Sequence, residues 1–181
     1  MAQVGLSRTI VSKAVETSSA AFELDPAGAG QISRALNALL ADSFALYLKT
    51  KYFHWRAGSL PSGAEELSNQ LEFGEHADDL FASTDDLAAR VRAIGGRSSP
   101  LGDIGQLRRI RDGERRFARR SDMLSELTED NEALMEAIRD TRGLCERHND
   151  ILSLALLETL VDQTERRSHF LLEMSRESDG E

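Results

Sequence analysis

The sequence predicts an all-α fold: a four-helix bundle with a short helix in the crossover between its second and third long helices. Three observations carry this expectation. Ala, Leu, Glu and Arg dominate a chain of 181 residues that has only 3 prolines, a composition that favours helix. Apolar residues recur at three-and-four spacing in four long runs, the mark of one buried stripe per helix. Short Gly/Pro/Ser-rich or polar breaks separate the runs, except for one long connection between the second and third.

Residues 1–30 read as an N-terminal tail, with a weakly amphipathic piece around Ile10–Phe22 and a break at "DPAGAG". The first strong helix runs from about Gly30 to His54, with Ile32, Leu36, Leu39, Leu40, Phe44, Tyr47 and Leu48 on its buried stripe. "RAGSLPSG" ends it, because Gly and Pro both disfavour continuation. A second helix begins near Ser62–Ala64 and reaches Ile94, in register with Leu67, Leu71, Leu80, Phe81, Leu87, Val91 and Ile94. The "GG" at 95–96 supplies its stop. Gly74 lies inside this helix at a cost of about 1 kcal/mol relative to Ala, so it requires an explanation.

A short helix is expected around Gly102–Arg111. Ser121 then opens the third long helix, with Asp122 in its first turn. Met123, Leu124, Leu127, Leu134 and Ile138 form its stripe. "ERHND" breaks it from a fourth helix carrying Leu154, Leu157, Val161, Phe170 and Leu171. The bundle therefore spans 31–175, and 176–181 are expected to be disordered.

The bulk charge narrows function. A formal net charge of -9 and a pI near 5.0 disfavour nucleic acid and suit cations. The tail carries Arg8 and Lys13 against Glu16, Glu23 and Asp25, so it lacks the basic excess of a DNA-gripping arm. One cysteine, Cys145, excludes an intrachain disulfide and fits a reducing compartment. Neither a membrane-length apolar run nor a secretory signal is visible, so a cytoplasmic protein is expected.

Several segments together carry a family signature. "LNALLADSFALYLKTKYFHW", "TDDLAARVRAIGG", "SDMLSELTEDNEAL" and "LLETLVDQTERRSHFLLE" resemble, in this order, the Dps family of ferritin-like mini-cages, named for DNA protection during starvation. The resemblance covers about residues 31–175. It implies a ferritin-like four-helix bundle, a shell of twelve identical subunits, and iron as Fe(II) and Fe(III). It also implies that Fe(II) is oxidised by peroxide or oxygen at two-fold subunit interfaces and stored inside as ferric mineral. Many members bind DNA, usually through Lys/Arg-rich tails that this chain lacks.

Such a site needs carboxylate oxygens and imidazole nitrogens with positions left open for oxidant, and ligands four apart share a helix face. The family pattern has a His before Trp, then His-x-x-x-Asp, and later Asp-x-x-x-Glu-Arg from the two-fold mate. His54 fits the first position and Asp85 fits the Asp of the last element. The Glu expected before Arg90 is Ala89. Aligned backwards from that segment, the His and Asp positions fall on Gln70 and Gly74, so three of five ligands are replaced. The chain also has about four extra residues between His54 and this segment. With those residues inside the second helix, Glu66 and Gln70 take the central positions instead. Glu66 could then ligate iron, Gln70 stays poor, and nothing rescues Ala89. Glu72, Glu75 and His76 lie nearby as material for a rearranged site.

The resemblance thus implies an iron-handling protein with an incomplete ferroxidase centre, reduced activity and weakly held iron. A catalytically weak structural cage and a DNA-protecting binding protein are the alternatives. Asp150 matches a pore aspartate of the family by position and also suits the N-cap of the fourth helix. The arginines of "RRIRDGERRFARR" are read as pairing with carboxylates between subunits, ahead of a phosphate-binding surface. His169 is expected at the surface or in packing, His148 in a solvated turn, and Cys145 as a buried small hydrophobe.

Overall fold

The computed structural model describes residues 24–57, 64–111 and 120–178, with the side chains of 56–57, 64–70, 101, 120 and 177–178 outside the description. Five helices follow in order: α1 Pro26–Ala57, α2 Ala64–Ala93, α3 Leu101–Leu107, α4 Arg120–Arg147 and α5 Ile151–Ser178. No strand occurs among the described residues. The helix α1 packs on α2 and α4, and α5 packs on α4 and α2, which closes a square bundle. The crossover from α2 to α4 lays α3 against α1. This is the all-α bundle with a helical crossover that the sequence predicts.

Each long helix turns a three-and-four register of side chains inward. In α1 it reads Ile32, Leu36, Leu39, Ser43, Leu46, Thr50, Phe53, and in α4 Leu124, Leu127, Asn131, Leu134, Ile138, Thr141, Cys145, all buried. Near-parallel bundle packing requires this alternation, since each residue fills a gap between side chains of the facing helix. Burying a Leu or Phe here stabilises the fold by about 1.5–3 kcal/mol. The three-and-four stripe is broader than the core, however. Leu48, Leu71 and Phe81 were expected inside but are 48%, 62% and 48% exposed. Periodicity finds apolar faces without telling what covers them.

Three buried polar residues of α1 fasten the crossover. Asn37 donates to the Arg97 carbonyl at 3.0 Å and accepts the Ser99 N–H at 2.8 Å. Asp42 accepts the backbone N–H groups of Arg109 and Ile110 and pairs with the Arg109 guanidinium. Lys49 donates to the Arg111 carbonyl and pairs with Glu126 and Asp130 of α4. Arg109 therefore meets a carboxylate of its own chain. Residues 112–119 of that arginine stretch lie outside the described residues.

The helix ends refine the expected boundaries. Helix α1 begins at Pro26, inside the stretch expected to be tail and break. Asp25 caps it, accepting the Ala27 and Gly28 N–H groups at 3.0 and 2.9 Å, while Pro26 holds the first helical position that its ring favours. The rest of the expected tail, 1–23, lies outside the described residues. Helix α2 ends in a Schellman motif, with Gly96 N–H on the Val91 carbonyl at 2.9 Å and Gly95 N–H on the Arg92 carbonyl at 3.0 Å. Gly95 sits at φ +80°, which only glycine adopts easily. Helix α5 continues to Ser178, three residues into the segment expected to be disordered, because nothing in "SRES" breaks a helix. Residues 179–181 lie outside the described residues.

Candidate functional site

The outer face of the α1–α2 pair holds most of the residues that the sequence singles out. His54 is half-buried near the end of α1, and its ring lies against Gly74 of α2. A Cβ built on Gly74 would stand 3.4 Å from His54 Cε1 and 3.6 Å from Nδ1. The residue one turn before a helix exit thus meets the very position at which the aligned pattern expects a carboxylate. Beside it, Lys51 of α1 pairs with Asp78 of α2 at 3.1 Å. Around this polar strip lie the exposed apolar side chains: Leu48, Tyr52 and Trp55 on α1, with Leu71 and Phe81 on α2. Their spacing along α1, four and then three residues, makes them a single stripe.

Asp85 is exposed on α2, eleven residues beyond Gly74, which at 1.5 Å per residue is about 16 Å along the axis. One chain therefore does not bring His54 and Asp85 together. Ala89, one turn further on, is exposed and contributes no donor atom. Glu66 and Gln70 belong to α2, but their side chains lie outside the described residues. Among the described residues no group of three or more His, Cys, Asp and Glu side chains converges as a metal site would require.

The neighbouring acids do not repair this. Glu72 has its carboxyl pushed above the usual range by burial and then by Glu75 and Glu173, yet these acids belong to no group of three or more metal-ligating side chains among the described residues. His76 points the other way, into the bundle against Phe170.

Asp150 is buried at 4% exposure. Its Oδ1 accepts the Ser153 N–H at 3.0 Å and Arg90 Nη2 at 2.5 Å, and its Oδ2 accepts the Ser153 hydroxyl at 2.5 Å. The side chain is thus an N-cap for α5 and a strut to the end of α2, with each oxygen engaged inside the chain. Just after it, Ile151 and Leu152 are exposed.

The remaining polar candidates fall into place. Cys145 is fully buried, and burial followed by the Asp150 charge pushes its thiol up to about 11. His169 is a surface residue beside Glu173 at 3.3 Å. His148 does lie in the turn after α4, but it is mostly covered and meets Asp25, the α1 cap, at 3.3 Å.

Comparison with known proteins adds the decisive observation: a ferritin-like domain model matches residues 33–177. The chain belongs to the ferritin-like family. Within it, the likeness is to Dps proteins. The archaeal Dps homologue of Halobacterium salinarum superposes with a TM-score of 0.73 at 25% identity, covering 85% of this chain and 87% of that one. The DNA protection during starvation protein of the same organism is 40% identical over 76 residues, 42% of this chain and 40% of that protein. An uncharacterized low temperature-induced protein of Nostoc is 32% identical over 108 residues, 58% of this chain and 57% of that protein. The aligned stretches thus span about half the length, or less, of the curated relatives.

Sequence reasoning missed one feature of this Dps-type chain, a polar cluster inside the bundle. Arg167 of α5 is 5% exposed and Asn131 of α4 is 1% exposed. The signal was present: Leu160, Thr164, Arg167, Leu171 and Met174 keep the core register, so an arginine stands where a leucine would.

Proposed function

We propose that this chain is the subunit of a Dps-type shell that takes up iron and retains it as ferric mineral, with an oxidation site short of ligands. Iron here is substrate and cargo. Fe(II) gives up an electron to peroxide or oxygen, and the Fe(III) formed hydrolyses and stays inside. The observation that carries the reading is the α1–α2 face. It holds His54 against Gly74 within an apolar rim of Leu48, Tyr52, Trp55, Leu71 and Phe81.

A water-exposed apolar stripe of this extent favours burial against another copy. A two-fold pairing would let Asp85 of one copy approach His54 of another, which a single chain does not achieve. That supports a homo-oligomer, a dodecamer by resemblance. The same face argues for slow chemistry. With Gly74 and Ala89 in the carboxylate positions, a shared site has His54 and Asp85 as its remaining described donors, and iron prefers more.

Asp150, the pore candidate, is better read as a structural cap, since its oxygens are already engaged. DNA protection appears in the name of a relative, but a net charge of -9 opposes binding to phosphate. A cytoplasmic location is part of the same proposal.

The test is to load the metal-free protein anaerobically with Fe(II), add peroxide or oxygen, and follow ferric absorbance while measuring particle mass. The expected result is a large shell that holds iron but oxidises it only a few-fold faster than buffer. A stable monomer would refute the shell, and oxidation a thousand-fold above buffer would refute the incomplete site.

A further inference from the structure

The centre of the bundle holds a second polar feature, away from the outer face. Between the four long helices lies a cavity of about 10 Å³, room for one small occupant. Leu46, Phe73, Leu127 and Phe170 make it largely apolar, while His76 of α2 and Arg167 of α5 bring nitrogen atoms to it. Arg167 Nε donates to Asn131 Oδ1 at 3.0 Å, and Nη2 donates to Thr164 Oγ1 at 2.8 Å. Its third nitrogen, Nη1, is buried and meets no acceptor, and His76 Nε2 is likewise buried without a partner. Among the described residues no carboxylate lies within ion-pair distance of Arg167. Asp79 acts on both groups only from further off, and Arg166 opposes it.

Buried charges are ordinarily paired, and buried donors are ordinarily satisfied. Here both rules fail at the same cavity. We infer that the cavity binds a small monatomic anion, chloride in kind, held by Arg167 Nη1 and His76 Nε2. The donor count selects the ligand. Thr50 donates its hydroxyl to the Leu46 carbonyl, and the Asn131 amide donates to the Thr164 carbonyl and Ser168 hydroxyl. Arg167 Nη1 is therefore a spare donor, and His76 Nε2 is a second one in its Nε2–H tautomer. A water molecule would satisfy both nitrogens only with His76 in the Nδ1–H tautomer, and it would leave the guanidinium charge unneutralised. A halide only accepts, and it carries the missing charge. Sulfate and phosphate are too large. Burial holds the imidazole down to about 4 and the guanidinium down to about 10, so at neutral pH the pocket carries one positive charge from Arg167 beside a neutral imidazole, which donates to the anion in its Nε2–H tautomer.

Two arms test this on the full-length protein. Crystals grown in bromide instead of chloride should show an anomalous peak within hydrogen-bond reach of Arg167 Nη1 and His76 Nε2. Density there with no anomalous signal means water, and overturns the inference. In solution, raising sodium chloride against sodium gluconate at constant ionic strength should raise the Tm of the wild type by several degrees. Arg167→Met should lose that response. If that variant does not fold, His76→Phe, which keeps the charge but removes one donor, should weaken the chloride midpoint at least tenfold. A wild-type Tm that responds equally to chloride and gluconate overturns the inference as well. Iron oxidation enters neither arm, so this result and the proposed function stand or fall separately.

Discussion

Replacing Asp150 by alanine separates a structural role from a pore role. The substitution removes the N-cap acceptor for Ser153 N–H, a loss of about 1 kcal/mol. It also strands Arg90, whose side chain is only 15% exposed and whose Nη2 donates to Asp150. Breaking a buried ion pair by removing one partner costs about 3–5 kcal/mol. Because the same carboxylate serves both functions, the two losses are not additive, and about 3–5 kcal/mol is expected in total. Asp150→Asn keeps an acceptor for the cap and loses the charge, so about 1.5–3 kcal/mol is expected there. Urea unfolding of the three proteins at one fixed concentration, with iron uptake followed in parallel, measures both roles. The expected order of midpoints is wild type, then Asn, then Ala, with uptake by the folded fraction unchanged. An alanine variant as stable as wild type but slow to admit iron would refute the strut and restore the pore aspartate.

Lys49→Met should destabilise the bundle by about 3–5 kcal/mol, since Lys49 holds Glu126, Asp130 and the Arg111 carbonyl together; the urea midpoint reads it directly. Gly74→Ala should be neutral or stabilising by about 0.5–1 kcal/mol, because the new Cβ meets His54 at 3.4 Å, an ordinary contact. A loss above that in the same assay would mean the helix pair needs a bare backbone at Gly74. His76 titrates at about 4 in the folded chain against 6.5 unfolded, so the unfolded state binds the proton first as pH falls. Its contribution is complete above pH 6.5 and declines towards pH 4. Charging it in place would cost at most about 3 kcal/mol, screened by its partial exposure to about 1–2 kcal/mol. Measured in gluconate, so that no bound chloride raises the imidazole, the pH dependence of unfolding should flatten by that amount in His76→Gln, and an unchanged slope would contradict the assignment.

The bundle was legible because burial writes its period into the sequence, as in Leu124, Leu127, Leu134 and Ile138. Leu48, Leu71 and Phe81 were misread as core for the same reason, since an exposed apolar face can have the period of an interior. "DPAGAG" was read as a break because Gly and Pro usually interrupt helices, yet Asp25 and Pro26 are a cap and a first turn. The candidate site was half legible. His54 and Gly74 could be matched by alignment, but their contact depends on how α1 and α2 pack. Asp150 was correctly placed at a helix start, while its bond to Arg90 joins residues 60 apart in sequence and leaves no local trace. Arg167 left a trace, a charged residue in core register, which hydrophobic periodicity alone does not weigh.

On the function proposed above, the α1–α2 face lacks the ligands for rapid iron oxidation. The most direct test is to restore them. Fe(II) oxidation by peroxide should be timed in the wild type and in Gln70→His/Gly74→Asp/Ala89→Glu, with assembly checked by mass. The restored protein should oxidise iron at least tenfold faster, with the gain abolished by His54→Ala. A wild type that already matches the restored protein would contradict this reading.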